Sequence, residues 1–406
     1  MNAMNRKDFL KALAGAAGAA GLSGCRTAET TGALAPLEGK EGSGFLFSAH
    51  PIAQWIGDDE AVVAWTTRRP SMGYVVWHQE GKRHTQVCQS TDGFRPVLET
   101  RFRVIVKGVD PTKPAVFDVA SREMFRFTSD SYEHRWGASD VSSVTLPPRS
   151  GADGSTSIVM LNDVHSKTAL YAPLLKAGGP AAMCVLAGDI LDRVEDAETV
   201  EEKLFAPLRQ ICAAGYAPQY LRGNHELRGA RARDLHDWLL PAYRHFYTAF
   251  TAGCARLLFL DTGEDKEDGH FQLGGLGGFD DYLAEQTEWV RREVASDAWR
   301  RARHRIVFAH IPKIVFEDEG IESTVLPRLA RLWEVLDGAN VTLMACGHMH
   351  RANFYPKGGP RGYPLVVGGG SGSSDATVTR LDVTSAALRL RQFALDGKLR
   401  LERIFA

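Results

Sequence analysis

Five short polar motifs in the second half of the chain each stand directly after an apolar run. They are Asp163-Val164-His165, Gly188-Asp189, Gly223-Asn224-His225-Glu226, His310 and Gly347-His348-Met349-His350. The runs before them include Ile158–Leu161, Met183–Ala187, Tyr220–Leu221, Ile306–Ala309 and Val341–Ala345, short enough to be buried strands. Packing has no use for so many imidazoles and carboxylates at strand ends, because burying such groups costs free energy unless they are paired. In layered α/β folds the loops converge at the C-terminal ends of the strands, and ligands bind there. Successive motifs are 26, 35, 86 and 38 residues apart, counted from Asp163 to Asp189, Asn224, His310 and His348. The pattern therefore asks for a fold that brings strands from distant parts of the chain to one common edge.

The donors are two Asp, one Asn and four His, with no thiolate: Asp163, Asp189, Asn224, His165, His310, His348 and His350. Such a set suits Mn²⁺, Fe²⁺, Zn²⁺ or Co²⁺ better than Ca²⁺ or a soft metal. Seven ligands are too many for one tetrahedral ion and fit two ions sharing a bridge. Two divalent ions against two aspartates leave about +2, which a bridging hydroxide lowers to about +1. A positive two-metal centre of this kind suits a phosphoryl group. Singly, each motif has a plainer explanation. Asp163 could cap a helix, Asp189, Asp192 and Arg193 could form an exposed ion-pair turn, and Asn224 could be a turn residue. His310 could be a satisfied core histidine. His348 and His350, two residues apart, would share one side of an extended segment whether ligands or surface loop. Their joint occurrence points to metal.

The rest of the chain sets the frame. Its 406 residues allow two domains with buried cores. A formal net charge of −1 gives no global electrostatic case for nucleic acid or an anionic membrane. Arg6 and Lys7, the apolar Phe9–Leu22 and the ending Leu22-Ser23-Gly24-Cys25 have the three regions of an export signal over residues 1–25. That ending resembles a bacterial lipobox, which implies lipid attachment at Cys25 and a place in the periplasm or cell envelope. Asn5-Arg6-Lys7-Asp8-Phe9-Leu10-Lys11 is similar to a twin-arginine signal with Lys at the second Arg, so both export routes stay open. Membrane contact is expected through the lipid anchor alone. Residues 26–44 read as a flexible tether. Five cysteines beyond Cys25, irregularly spaced, argue against a disulfide framework, and Cys184 and Cys346 read as buried thiols.

Residues 45–147 read as an all-β sandwich. Strands are expected at 61–66 and 73–77, split by a turn at Arg69-Pro70-Ser71. Val116–Ala120 and Met124–Phe127 are expected as a further strand pair. After Pro147-Pro148 and the loop-like 151–157, apolar strands alternate with helical segments through an α/β domain expected over 151–406. Helical periodicity covers Glu198–Cys212 and Leu283–Val294.

Taken in order, Asp-x-His, Gly-Asp-x-x-Asp, Gly-Asn-His-Glu, a lone His and Gly-His-x-His resemble the calcineurin-like metallophosphoesterases over about residues 155–375. The resemblance implies a four-layer αββα domain. It also implies two divalent ions (Mn, Fe or Zn), with Asp163, His165 and His350 on one, Asn224, His310 and His348 on the other, and Asp189 bridging. A metal-bridging hydroxide would attack phosphorus and His225 would be the proton donor to the leaving oxygen. Val62–Trp77 resembles the fibronectin-III-like domain that precedes the catalytic domain of purple acid phosphatases. Those enzymes carry Tyr where this chain has Asp192, which argues against an Fe³⁺–tyrosinate centre. The stretches 188–193 and 221–226 look more like serine/threonine protein phosphatases. By that likeness Asp192 would hydrogen-bond His225, and Arg193 and Arg222 would grip phosphate oxygens. Arg228, Arg231 and Arg233 read either as a solvated face or as an anion-recognising group. The expected activity is hydrolysis of a phosphoric ester, small-molecule or extracellular, by a phosphatase or phosphodiesterase. The competing reading is a catalytically silent exported binding lipoprotein that keeps the fold.

Overall fold

The computed structural model describes residues 46–87, 98–127, 134–238, 245–314, 326–359 and 361–406. The signal-like segment 1–25 with Cys25, the tether 26–44 and Cys88 lie outside the described residues. The chain forms two compact units. The first comprises 46–52, 63–106 and 115–145 over its described parts; the second comprises 53–62, 107–114 and 146–406.

Strands dominate the first unit: β2 (Glu60–Gln79), which begins in the second unit, with β3 (Lys82–Val87), β4 (Glu99–Lys107), β5 (Ala115–Phe127) and β6 (His134–Leu146). β2 pairs with β3, β4 and β5, and β5 pairs with β6. Trp65 stacks on Phe102 with ring centroids 5.2 Å apart, and its indole N–H donates to Ser121 Oγ at 2.8 Å. Two local expectations fail here. No turn forms at Arg69-Pro70-Ser71, because β2 runs straight through it. Pro70 is exposed, and the register with β5 begins one residue beyond it at Ser71, so its missing N–H falls outside that ladder, while the Arg69 carbonyl accepts from the hydroxyls of Thr67 and Ser71, each at 2.8 Å. Nor are Val116–Ala120 and Met124–Phe127 two strands. They belong to the single β5, which runs antiparallel to β2 in one register from Ser71↔Glu123 to His78↔Val116.

The second unit is built on two mixed sheets. One has the order β18-β17-β16-β7-β8-β9, with β7 (Thr156–Leu161), β8 (Met183–Ala187), β9 (Ala217–Leu221), β16 (Thr377–Val383), β17 (Leu388–Ala394) and β18 (Leu399–Phe405). Its β7, β8 and β9 are parallel, while β16 joins β7 antiparallel. The other has the order β10-β11-β12-β13-β15-β14, with β10 (Thr248–Ala252), β11 (Ala255–Phe259), β12 (His304–Phe308), β13 (Leu343–Cys346), β14 (Asn353–Tyr355) and β15 (Leu365–Val367). Here β11, β12, β13 and β15 are parallel and the two edge strands are antiparallel. The all-apolar β8 is buried along its whole length, as a parallel strand covered on both faces must be.

Helix Tyr171–Gly178 packs on β7, β16 and β17, and helix Ala206–Ala213 packs on β9. On the other sheet, Leu283 and Val290 of helix Phe279–Val294 join Trp333 and Leu336 of helix Ala330–Asp337 against Leu258, Val307, Met344 and Leu365. Each such side chain taken fully from water contributes about 1.5–3 kcal/mol. Hydrogen bonds tie sheet to sheet: Gln392 Nε2 donates to the Val367 carbonyl at 2.8 Å. Cys184, Cys212, Cys254 and Cys346 are free thiols. Among the described residues no helix is long and apolar enough to cross a membrane.

Candidate metal centre

Every motif picked out above follows the C-terminal end of a parallel strand. β7 delivers Asp163 and His165, β8 delivers Asp189, and β9 delivers Asn224 and His225. From the second sheet, β12 delivers His310 and β13 delivers His348 and His350. The backbone there is strained. Nine non-glycine residues have positive φ among the described residues, and five are candidate ligands: Asp163 (50°), His165 (47°), Asp189 (51°), His348 (72°) and His350 (54°). Left-handed backbone costs an L-residue about 1–2 kcal/mol. Such strain concentrated in one set of loops marks a functional site.

Among the described residues three groups of ligand-type side chains result, one of them His165, Asp192 and His225, and the other two share Asp189. In the first of these two, ligand-type atoms of Asp163, His165, Asp189 and His350 lie within 4.8 Å of one another. His165 Nε2 and His350 Nε2 are 2.9 Å apart, and His350 Nε2 is 3.1 Å from Asp163 Oδ1. In the second, Asp189, His310 and His348 meet the same criterion. Asn224 Oδ1 lies between its imidazoles, 3.1 Å from His310 Nε2 and 3.1 Å from His348 Nδ1. Asp189 belongs to both clusters, as a bridging carboxylate would.

The donor set fits divalent metal on this geometry. His310 Nδ1 faces the Ala187 carbonyl at 2.9 Å, so that nitrogen carries the hydrogen and donates it. The other nitrogen, Nε2, then faces two acceptors, Asn224 Oδ1 and, at 3.2 Å, Asp189 Oδ1. A lone pair aimed at two oxygens is repulsive unless a cation or a proton sits between them. Asp163 Oδ1 tells the same story: it is buried and its close polar neighbour is the ligand-type nitrogen His350 Nε2 at 3.1 Å, whereas its partner Oδ2 accepts from Asn162 and the His348 amide. A buried carboxylate oxygen that meets only an imidazole nitrogen is left costly when that nitrogen is unprotonated, and a metal ion between them would remove that cost.

Electrostatics agree. Burial alone would raise Asp189, but the imidazoles of His310 and His225 hold it well below the usual carboxylate range. Burial pushes His310 down, and the Asp189 carboxylate outweighs it, lifting His310 to about 10. Burial, reinforced by His310, drops His348 to about 4. Burial likewise lowers His165, against the pull of Asp189 and Asp163. His350 is raised, first by its hydrogen bond to Asp163.

One residue within the motifs was given no role by sequence reasoning. The Glu226 carboxylate is fully buried and accepts four backbone N–H bonds, from Asp189, Ile190, Leu191 and Gly223, at 2.7–3.0 Å. It locks the loop after β8 to the loop after β9. Burial, then the neighbouring Asp189, raises it to about 7. The two loops approach so closely that glycine is required: a Cβ at Gly223 would lie 2.2 Å from Asp189 Oδ1, and one at Gly188 2.4 Å from His310 Nδ1.

The remaining expected site residues need correction. Asp192 does touch His225, but through its backbone carbonyl, which accepts from His225 Nδ1–H at 2.9 Å. Its carboxylate turns instead to His165 Nδ1, 3.1 Å away, fixing the tautomer that presents Nε2 to the cluster. Arg193 is exposed and pairs with Glu195 at 3.5 Å. Arg222 is not a free phosphate grip. Its Nε donates to Asp261 at 2.6 Å and its guanidinium covers the Phe246 ring at 4.1 Å, so it is a buried structural cation. The arginine that reaches the site is Arg228, whose NH1 lies 3.1 Å from His225 Nε2. Its closeness to the Gly-Asn-His-Glu motif was the available signal, but Arg231 and Arg233 follow that motif closely too.

A two-sheet α/β unit with a His, Asp and Asn cluster at its strand ends defines a metal-dependent phosphoesterase. Residues 156–352 match the family model of the calcineurin-like phosphoesterases, and that stretch is a calcineurin-like metallophosphoesterase domain. No curated protein matches the sequence. Among solved structures the chain is similar in fold to the purple acid phosphatase PPD1 from yellow lupin (Lupinus luteus) seeds. The TM-score is 0.65 at 14% identity, covering 88% of this chain and 74% of that one. Yfce, a phosphoesterase from E. coli, aligns with TM-score 0.31 and 13% identity over 61% of this chain and 98% of its own. A serine/threonine phosphatase from Saccharomyces cerevisiae aligns with TM-score 0.25 and 12% identity over 55% and 72%.

Proposed function

We propose that the protein is a binuclear-metal phosphoric ester hydrolase, exported and held to the cell envelope by lipid on Cys25. The observation that carries the hydrolase reading is the pair of ligand clusters sharing the single carboxylate of Asp189. Asp163, His165 and His350 would hold one ion, Asn224, His310 and His348 the other, with Asp189 between them. Two divalent ions (Mn, Fe or Zn) held by these residues would supply positive charge for phosphoryl oxygens and an acidified water as nucleophile. His225 turns Nε2 toward Asp189 Oδ2, 3.9 Å away, because its Nδ1–H is engaged by the Asp192 carbonyl. In this structure Nε2 accepts from Arg228 NH1 at 3.1 Å, so it would first take up a proton, releasing that contact, and then pass the proton to the leaving oxygen. The strands of the first unit support a fibronectin-III-like domain, as does the 88% coverage of this chain by the lupin enzyme. The basic, apolar and small-residue order of the first 25 residues supports export and anchoring.

The test is metal analysis of the purified protein together with hydrolysis of phosphate esters after Mn²⁺ reconstitution. Two ions per chain and metal-dependent turnover are expected. Asp189→Asn should abolish turnover, and full activity in that variant would dismiss the shared-carboxylate assignment. His225→Gln should keep the metals and slow esters with poor leaving groups most. Radiolabelled fatty acid should be incorporated by the full-length chain and not by Cys25→Ala; equal labelling of both would dismiss the anchor.

A further inference from the structure

Arg228 is held as few arginines are. Its Nε–H donates to Glu264 Oε2 at 3.1 Å, and its NH2 donates to Glu264 Oε1 at 2.9 Å and to Asp265 Oδ1 at 3.1 Å. Glu264 is fully buried and Asp265 mostly so, and both lie just past β11. Three of the five guanidinium hydrogens are thus spent on a fixed acidic clamp. NH1 points the other way, to His225 Nε2 at 3.1 Å, and that nitrogen lies 3.9 Å from Asp189 Oδ2. One NH1 hydrogen remains without a partner among the described residues. A positioned, mostly buried arginine donor, with an unused hydrogen beside a candidate metal cluster, is suited to an anionic oxygen.

Resting on the phosphoesterase reading above, we infer that Arg228 binds the phosphoryl oxygen left over when two others are taken by the metal pair, and so selects phosphate monoesters over diesters. The count of oxygens decides this. A monoester dianion has three non-bridging oxygens. A diester has two, so once both are engaged it offers Arg228 only an ester oxygen, a poor acceptor, and leaves a charged donor unsatisfied. A site built to pair a donor discriminates against the ligand that lacks the acceptor. The Glu264–Asp265 clamp keeps the guanidinium from collapsing onto the metal-binding carboxylates, which would otherwise capture it. Arg222, buried against Asp261, cannot substitute.

The experiment compares wild type with Arg228→Met, Arg228→Lys and Glu264→Gln, each checked for metal content and thermal stability. It measures kcat/KM on an aryl phosphate and on the matching aryl methyl phosphate, and affinity for inorganic phosphate and for dimethyl phosphate by calorimetry. Loss of one charged hydrogen bond should lower monoester kcat/KM and phosphate affinity about 10- to 100-fold. Diester turnover and dimethyl phosphate binding should change by less than about threefold, with Arg228→Lys and Glu264→Gln intermediate. If a variant loses metal or stability, the phosphate to dimethyl phosphate affinity ratio of the remaining variants decides. Equal losses on both ester classes, or no loss on either, would overturn the inference. So would a wild-type enzyme that hydrolyses diesters only, which would leave the phosphoesterase reading standing. Wild type inert on both classes with both metals bound would instead sink that reading, while phosphate binding still tests Arg228.

Discussion

His310 offers the sharpest quantitative test of the metal centre, because Asp189 contributes most to raising it, with Asp163 and the Ala187 carbonyl adding less. In metal-free protein the imidazole is completely buried, and burial alone would favour its neutral form. Asp189 Oδ1, 3.2 Å from Nε2, overrides this and lifts it from 6.5 to about 10. At about 1.4 kcal/mol per unit the shift corresponds to on the order of 5 kcal/mol of preference for the imidazolium. A group raised in the folded state contributes stability that is complete below its unfolded value and fades as pH climbs through the folded one. Metal-free protein should therefore lose this contribution progressively between pH 6.5 and about 10. Metal must displace the Nε2 proton to bind. His165 and His348 are held low by burial, so they have no proton to give at pH 8. Replacing Asp189 by Asn removes the largest raising influence and keeps the burial, so His310, still raised by Asp163 and the Ala187 carbonyl, should titrate well below its wild-type value. The assay is NMR titration of the imidazole signals in EDTA-treated wild type and Asp189→Asn. It is paired with calorimetric Mn²⁺ binding at pH 8 in buffers of different ionisation enthalpy. The wild-type His310 should stay charged to about pH 9 and release its proton on metal binding. An imidazole titrating near neutrality in wild type, or identical curves in both proteins, would refute the reasoning.

Other outcomes follow from single contacts. Asp192→Asn should weaken retention of one of the two metals about 10- to 100-fold through His165, and leave the His225 Nδ1 contact intact; equal retention of both ions would contradict it. Glu226→Ala removes the acceptor of four backbone N–H groups and should lower the stability of metal-free protein by about 3 kcal/mol or more in urea unfolding, at about 1–3 kcal/mol for each donor left unpaired. An unchanged midpoint would show that the two loops do not depend on it. Arg222→Met strands the buried Asp261 carboxylate and should cost about 3–5 kcal/mol, with KM for esters within about twofold of wild type. A KM raised tenfold with stability intact would return Arg222 to the binding site.

The clustering of candidate ligands was legible because its physics is local. A strand of apolar residues followed at once by Asp, Asn or His fixes both where the strand ends and which side chain stands at the edge, and parallel topology gathers such edges. Metal-grade chemistry at Asp163, His165, Asp189, Asn224, His310, His348 and His350 could thus be read along the chain. What Asp192, Arg222 and Arg228 do could not. Their roles depend on which of several polar neighbours lies within about 3 Å once loops from two sheets meet, and that distance is set by tertiary packing. Asp192 turned its carboxylate to His165 because its backbone carbonyl already met His225. Arg222 was taken by Asp261 and the Phe246 ring, and Arg228 by Glu264 and Asp265, residues 36 and 37 positions further on. Strand extents in the first unit failed for the same reason. Pro70 reads as a stop in one dimension, whereas in the fold it is exposed and its missing N–H falls outside the β2–β5 ladder, which begins at Ser71, so β2 runs on.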